Sequence, residues 1–412
     1  MRLNELEQLY KDLKSKNFNI DLSRGKPSPE QLDLSNSILT NISQTNLINQ
    51  NGLDYRNYSN LDGVEGCNNF FANIFGLDSE NILTLGNSSL FLEYELIADA
   101  YIKGICGSEP WCKLPEIKFI CLVPGYDRHF KICEHFGIKM INVPLKENGP
   151  DMDAISELIK DPLVKGIWCT PIYSNPLGIT FSDDVVRRFA RLSPAAKDFR
   201  IFWDMAYALH HLTDKPVKLL NIFEEARKCG NEDYIYAFAS TSKITFAGSG
   251  IAAIGCSLNN KKSIVDNFKT KLICADKINQ ARHAMFLESE SFVQKHMEKH
   301  KEILLPKFNG IINGLKSVSN ICKIVKPEGG YFISIFVKKG TAKNVIKRCF
   351  ECGLKLTEAG CGYPYHVDLD DSHIRLAPTF LNLNDVEIAS LILCTCIELE
   401  YLLNEGNSHG NV

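Results

Sequence analysis

Short apolar runs alternate with amphipathic stretches through the middle of the chain. Runs of strand length occupy residues 118–123, 139–143, 166–170, 199–203, 234–239 and 251–256. Segments between them place apolar residues at helical spacing, at residues 128–136, 151–159, 183–191 and 216–228. Since strands buried on both faces read as continuous apolar runs, the alternation predicts a mainly parallel sheet covered by helices. The predicted fold class is therefore α/β.

The two ends of the chain have a different pattern. Leucines recur at helical spacing over residues 3–13, and the Gly- and Pro-containing loop 23–29 follows. After about residue 285 come a long helical stretch, strand-like runs at 331–337 and 373–376, and an apolar helix over 386–403. We predict a large domain over residues 50–285 and a smaller α+β domain formed by residues 1–49 and 286–412.

Composition and charge limit the partners that the chain can have. The 412 residues are 45% hydrophobic, and 46 basic against 49 acidic residues give a net charge of -3 without long charged blocks. This balance predicts no nucleic-acid or membrane-surface partner. The apolar C-terminal helix carries Glu387, Glu398 and Glu400, which argues against a membrane span. The expected partners are small molecules.

The cysteines and histidines give no metal or disulfide pattern. Fifteen cysteines are scattered along a chain whose start lacks the apolar core of a signal peptide, so we expect reduced thiols and a cytoplasmic location. Cys349 and Cys352 have no second pair with which to form a four-cysteine zinc site. The spacing of His296 and His300 lacks the glutamate order of a zinc protease helix. We expect no metal.

Lys243 is the strongest candidate for chemistry. It stands in the run Ser240-Thr241-Ser242-Lys243, directly after a strand-like segment. A lysine amine has a pKa of about 10.4 in water, so it becomes a nucleophile at neutral pH only where burial, a cation or an aldehyde cofactor changes that balance. The alternative is a solvated loop lysine. The position favours a lysine that forms a Schiff base.

Other polar groups follow predicted strands, where open α/β sheets place their ligands. Ser88 and Ser89 precede a helical run and could bind a phosphate, although alone such a pair is more typical of a helix cap. Tyr126 offers a ring that could stack on a planar cofactor, or could simply close a turn.

An amide, a carboxylate and a phenol come after two further strands. Asn175 lies in an Asn-Pro-Leu-Gly turn, and Asp204 and Tyr207 end the next strand. Singly, a turn and a helix cap explain them. Together, the carboxylate could keep a pyridine nitrogen protonated, and the two donors could hold a ring phenolate.

The ordered set of motifs resembles the fold-type I, pyridoxal-phosphate-dependent class I aminotransferases. The matching positions, spread over nearly the whole chain, are Tyr58 with Gly63, Ser88-Ser89, Tyr126, the run 175–178, Asp204 with Tyr207, Ser240 with Lys243, and Ile374-Arg375-Leu376. Within that superfamily, the runs 23–27, 124–130 and 240–246 resemble the branch related to the MocR aminotransferase domain, which includes bacterial aspartate aminotransferases. The short N-terminal segment, without a basic recognition helix, is not expected to hold the DNA-binding domain of MocR regulators.

The resemblance implies pyridoxal 5'-phosphate (PLP) as the cofactor and gives residues their roles. Lys243 would form the aldimine and move a proton at the substrate α-carbon. Asp204 would pair with the pyridinium nitrogen, Asn175 and Tyr207 would bond the 3'-oxygen, and Tyr126 would stack on the ring.

The resemblance also implies phosphate and substrate ligands. The phosphate ligands would be Ser88, Ser89, Ser240 and Ser242, joined by Tyr58 from the other subunit of a homodimer. Arg375 would bind the substrate α-carboxylate through its planar fork, and Asn175 would be a second substrate-binding residue. A second carboxylate would need another cation; we rank Arg24 first among Arg24, Lys26, Arg128 and Arg282.

Ile251 is the one clear departure from the family pattern. Most class I aminotransferases place an arginine eight positions after the lysine to neutralise the phosphate, and this chain has Ile251 there. The glycines at 248 and 250 suggest a cradle of backbone amides and hydroxyls instead.

The expected function is therefore a PLP-dependent aminotransferase, with aspartate and 2-oxoglutarate as the pair that the resemblance favours and with ping-pong kinetics. Two alternatives stay open. A PLP lyase or decarboxylase could use the same fold. The other alternative is a non-catalytic PLP-binding regulator, and the set of Asn175, Asp204, Tyr207, Lys243 and Arg375 counts against it.

Overall fold

The computed structural model describes residues 2–408 and combines helices and strands throughout. The α-helices are α1 (Arg2–Ser15), α2 (Pro29–Asp33), α3 (Glu65–Phe75), α4 (Ser89–Lys103), α5 (Asp127–His135), α6 (Met152–Leu158), α7 (Asp183–Ala190), α8 (Ile222–Arg227), α9 (Leu258–Phe268), α10 (Lys277–Phe286), α11 (Glu290–Leu315), α12 (Ala342–Glu351) and α13 (Leu383–Ser408). The strands are β1 (Ile20–Asp21), β2 (Ile82–Thr84), β3 (Lys118–Val123), β4 (Lys139–Lys146), β5 (Gly149–Pro150), β6 (Val164–Cys169), β7 (Arg200–Asp204), β8 (Ile235–Ser240), β9 (Ala252–Cys256), β10 (Lys323–Val325), β11 (Ile333–Phe336), β12 (Leu354–Lys355) and β13 (His373–Leu376).

The central sheet has the strand order β2-β9-β8-β7-β6-β3-β4-β5. Strands β4, β3, β6, β7 and β8 are parallel, which confirms the predicted mainly parallel α/β sheet. Strand β9 runs antiparallel to both β8 and β2. The connection from β8 to β9 carries no crossover helix, and a parallel return needs a connection of a dozen or more residues. The carboxyl ends of β2, β3, β6, β7 and β8 therefore lie at one edge.

Both faces of this sheet are buried. The adjacent residues Phe202 and Trp203 of β7 belong to two different apolar clusters, because successive side chains of a strand point to opposite faces. The continuous apolar reading of these strands follows from that double burial.

A second, antiparallel sheet has the order β10-β11-β13, and β1 pairs in parallel with β12. Residues of α1, α11, α12 and α13 share one apolar cluster with these strands. The N-terminal segment thus packs with the C-terminal part of the chain. The domain boundaries at residues 49/50 and 285/286 stay a prediction.

Several predicted elements differ in extent from those observed. The helix predicted over 216–228 is confined to α8, because the side chain of Asn221 accepts hydrogen bonds from the amides of Phe223 and Glu224 and begins the helix there. The strand predicted over 331–337 shortens to β11.

The apolar C-terminal stretch is one face of the packed helix α13. Val386, Ile392 and Cys396 are buried on it, and the buried Glu400 pairs with Arg348 of α12. Within residues 2–408, no helix has the length and apolar character needed to cross a membrane. All fifteen cysteines lie in the described chain and are free thiols.

Candidate active site

Lys243 lies just beyond the carboxyl end of β8. Its backbone carbonyl accepts hydrogen bonds from His210 Nε2 at 3.1 Å and from the Tyr331 hydroxyl at 3.3 Å. Its Nζ lies 4.9 Å from the centre of the Tyr207 ring. Burial lowers the pKa of the Lys243 amine, and the nearby Asp204 carboxylate opposes that effect. The site thus favours the neutral amine more than water does.

Asp204 is the last residue of β7 and is buried. Its Oδ1 accepts a hydrogen bond from the Ala206 amide at 3.0 Å, while Oδ2 lies 3.6 Å from His129 Nε2. Burial first, and the negative charge of Glu93 second, raise the pKa of Asp204 to about 7, although His129 and Lys243 act in the opposite direction. A cationic partner for Oδ2 would lower this pKa and favour the ionised carboxylate.

Glu93 and His129 lie behind Asp204, and no sequence motif assigned a role to either. The His129 ring stacks on Trp168, with ring centres 4.5 Å apart and an interplanar angle of 10°. The buried Glu93 of α4 brings Oε2 to 3.3 Å from His129 Nε2. The sequence signal that could have indicated Glu93 is its place beside Leu92 and Leu96, on the apolar face of a helix.

The two predicted phosphate-binding segments meet in the structure. Ser240 Oγ lies 3.0 Å from Ser242 Oγ, and Ser242 Oγ donates to the Asn87 carbonyl at 3.5 Å. Ser88 is the N-cap of α4, and Ser89 begins that helix. In the described chain the Ser88 side chain makes no capping hydrogen bond. Hydroxyls and a helix N-terminus gathered in this way suit a phosphate.

Arg375 of β13 reaches the same edge of the large sheet. Its Nη1 lies 3.3 Å from Asn175 Oδ1 and also 3.3 Å from Asp127 Oδ1. The guanidinium carbon is 4.8 Å from the centre of the Phe332 ring. Arg375 Nε is buried and has no hydrogen-bond partner within the described residues. An orphaned donor on a held guanidinium suits an incoming carboxylate.

The two predicted aromatic residues also lie at this edge. Tyr126 precedes α5, and its ring meets His129 edge to face with centres 4.9 Å apart. Tyr207 is buried beside Lys243. Burial raises the pKa of both phenols, so both are hydrogen-bond donors at neutral pH.

Two predicted residues are exposed, unlike these buried groups. Tyr58 is 74% exposed, and Arg24 is exposed in the loop between β1 and α2. Lys26, an alternative to Arg24, places its Nζ 3.7 Å from the centre of the Phe380 ring. The roles of Tyr58 and Arg24 stay predictions.

Ile251, where the family places an arginine, is a core residue with 1% of its surface exposed. Its amide donates to Thr241 Oγ1 at 3.0 Å, which closes the Lys243 loop. The carbonyls of Ser249 and Gly250 accept hydrogen bonds from Asn279 Nδ2 at 3.1 and 3.0 Å. These hydrogen bonds to Thr241 and Asn279 therefore hold the loop 244–251 in place. Its phosphate-binding role stays a prediction.

Comparison with known proteins adds the family. A family model described as aspartate amino-transferase matches residues 2–405. An aspartate aminotransferase from Corynebacterium glutamicum is 40% identical over 399 residues, which cover 96% of this chain and 92% of that protein. The chain belongs to the aspartate amino-transferase family.

Solved structures of the family share the fold. The crystal structure of an aspartate transaminase from Corynebacterium glutamicum superposes with a TM-score of 0.95 at 40% identity, covering 98% of this chain and 96% of that one. An alpha-aminoadipate aminotransferase from Thermus thermophilus, complexed with N-(5'-phosphopyridoxyl)-L-leucine, has a TM-score of 0.76 at 18% identity and 93% coverage of each chain. The predicted PLP-transferase fold type I is confirmed.

The protein is thus an aminotransferase, and aminotransferases of this fold use PLP. The residues at the sheet edge suit that cofactor. Buried Asp204 lacks a full cationic partner, Lys243 has a depressed pKa, and hydroxyls surround a helix N-terminus. PLP needs three kinds of protein group: a carboxylate for its ring nitrogen, an amine for its aldehyde and donors for its phosphate.

Proposed function

We propose that this family member transfers the amino group of aspartate to 2-oxoglutarate in two half-reactions at one site. The observation that carries the proposal is the convergence of Lys243, Tyr207 and Asp204 at the ends of adjacent strands, with the Lys243 amine 4.9 Å from the Tyr207 ring. The substrate pair is supported by the relative that is named an aspartate aminotransferase. Two half-reactions that share one site give ping-pong kinetics.

The cofactor ring is held by residues from three strand ends in this proposal. Asp204 binds the ring nitrogen, Asn175 and Tyr207 donate to the 3'-oxygen, and Tyr126 covers one face. Ser88, Ser89, Ser240 and Ser242 bind the phosphate. When bound, the cofactor supplies an electron sink for the substrate α-carbon.

Lys243 moves the proton. Because burial lowers the pKa of its amine, Nζ can take a proton from the substrate α-carbon as a general base. As a general acid it would then give that proton to the cofactor carbon C4', which receives the amino group. The hydrogen bonds from His210 and Tyr331 to the Lys243 carbonyl hold the backbone in place while Nζ moves.

Arg375 orients the substrate by its α-carboxylate. Asn175 and Asp127 hold Nη1, and the orphaned Nε is left for the ligand. A bidentate contact fixes the plane of the carboxylate, which sets the α-hydrogen relative to Lys243. Arg24 binds the second carboxylate of a dicarboxylic substrate.

We further propose a homodimer, membership of the MocR-like branch and a cytoplasmic location. The exposed Tyr58 completes the phosphate site of a second subunit, so the active unit is a homodimer. We assign the chain to the MocR-like branch on its motifs at 23–27, 124–130 and 240–246. The fifteen free cysteines suit a reducing compartment such as the cytoplasm.

A half-reaction tests the proposal. PLP-loaded enzyme mixed with aspartate, without acceptor, should change from the absorbance of the aldehyde form to that of pyridoxamine phosphate, with one oxaloacetate per site. Adding 2-oxoglutarate should restore the first spectrum. Release of ammonia or carbon dioxide without that change would contradict transamination.

A further inference from the structure

Glu93 is a buried carboxylate that the proposed mechanism does not use. It lies on α4 between residues that pack into the apolar core, Leu92 and Leu96 among them. Both of its oxygens are buried without a hydrogen-bond partner in the described chain. Burying an ionised carboxylate costs a large free energy of desolvation unless a nearby cation compensates it. The nearest cation candidate is His129.

One nitrogen of His129 faces two carboxylates. Its Nε2 lies 3.3 Å from Glu93 Oε2 and 3.6 Å from Asp204 Oδ2. The imidazole nitrogen and one oxygen of each carboxylate all lie within 4.8 Å of one another. Stacking on Trp168 fixes the plane of the imidazole ring. The Nε2 atom therefore lies between the two acids, although it makes no hydrogen bond within the described residues.

The charges in this cluster depend on one another. Two carboxylates this close in a dry interior are both ionised only when a cation stands between them. Burial disfavours the charged imidazole, but Glu93 foremost, then Asp204 and Asp127, outweigh it and raise the pKa of His129. Burial and the negative charge of Glu93 raise the pKa of Asp204, and the positive charges of His129 and Lys243 oppose them by favouring its ionised form.

We propose that Glu93 is a positioning residue of the cofactor site, which holds His129 as an imidazolium so that His129 keeps Asp204 ionised and aimed at the cofactor ring nitrogen. This inference rests on the proposed role of Asp204. Glu93 itself touches neither cofactor nor substrate; it acts through His129.

The direct test is the proton on His129. NMR titration of the holoenzyme labelled at histidine, with the His129 signal assigned by its loss in His129→Asn, should give a pKa lowered by about 1 or more in Glu93→Gln. Glu95→Gln is the matched control, because Glu95 lies on the same helix and pairs with Lys271 at 2.6 Å instead. An unchanged pKa in Glu93→Gln, or an equal change in Glu95→Gln, overturns the proposal.

The dissociation constant of PLP gives the second readout. Glu93→Gln should weaken PLP binding by about tenfold, the effect of losing one charged partner. In the His129→Asn background the same substitution should not weaken PLP binding further, because there it can only remove the repulsion between Glu93 and Asp204. An equal tenfold loss in both backgrounds would mean a packing role and would overturn the proposal, as would a stoichiometric divalent metal retained at this cluster.

Two further variants separate the possible failures. If Asp204→Asn leaves PLP affinity unchanged, the cofactor role proposed for Asp204 fails. If Asp204→Asn weakens PLP binding but Glu93→Gln does not move the His129 pKa, only this inference fails. Should Glu93→Gln not fold, Glu93→Asp keeps the charge and withdraws it by one methylene. It should then lower the His129 pKa by a smaller amount, and an unchanged value again contradicts the proposal.

Discussion

Nη1 of Arg375 lies 3.3 Å from Oδ1 of Asn175. The first residue belongs to β13 of the three-stranded sheet, and the second follows β6 of the large sheet. One guanidinium therefore ties the substrate end of the site to the residue assigned to the cofactor ring.

Substitution of Arg375 should separate charge from geometry. Arg375→Lys keeps the charge but loses the fork, so the KM for both amino acid and 2-oxo acid should rise by about 10–100-fold, the effect of one or two charged hydrogen bonds. Steady-state kinetics of both half-reactions measure this. Arg227→Lys, at a surface pair with Glu232, is the control and should leave KM unchanged. A lowered kcat with normal KM would argue against carboxylate binding by Arg375.

Asp204 should destabilise the cofactor-free protein at alkaline pH. Its pKa rises from an ordinary value near 3.8 to about 7 in the folded chain, so the folded state binds its proton more tightly than the unfolded state does. The stability that this proton contributes is present at low pH and is lost as pH rises through 7.

The apoenzyme of Asp204→Asn should therefore melt a few degrees above the wild type at pH 8, and the difference should shrink toward pH 5. Thermal unfolding across that range measures it. With PLP present, the order should reverse, because the variant binds the cofactor weakly. A variant that is less stable than wild type at every pH would contradict a raised pKa for Asp204.

Gly250 should be required by the packing of the Lys243 loop. A Cβ there would lie 2.9 Å from Thr241 Oγ1 and 3.1 Å from the Ser242 amide. Gly250→Ala should therefore cost about 1–3 kcal/mol of stability and weaken PLP binding, since the displaced atoms adjoin Lys243.

Gly248→Ala is the matched control in the same loop. A Cβ at Gly248 would have no neighbour within 4 Å in the described chain. Denaturant unfolding and PLP titration should both stay near wild type. Equal losses in the two variants would contradict the role given to close packing at Gly250.

Much of the site could be predicted from sequence because parallel strands end at a common edge. Asn175, Asp204 and Lys243 each follow an apolar run, so their meeting follows from the topology alone. The antiparallel entry of β9 adds no helix between Lys243 and Ile251, which explains how the loop of 244–250 folds back on Thr241.

Glu93 and Asp127 could not be predicted in the same way. A glutamate on an amphipathic helix reads as a surface residue until the inward face of that helix is known, and Glu93 lies inward. Asp127 lies in the first turn of α5, where an acidic residue is already favourable for the helix itself. Its contact with Arg375 depends on the position of β13, which is distant in the sequence. Both roles depend on contacts between distant segments.

The position of the cofactor bond tests the account most directly. Borohydride reduction of the holoenzyme, followed by proteolysis and mass spectrometry, should place one phosphopyridoxyl group per chain on Lys243. Lys243→Ala should carry none and lose at least about 100-fold of its transaminase activity. A phosphopyridoxyl group on another lysine of the wild type, or normal turnover by Lys243→Ala, would contradict the account.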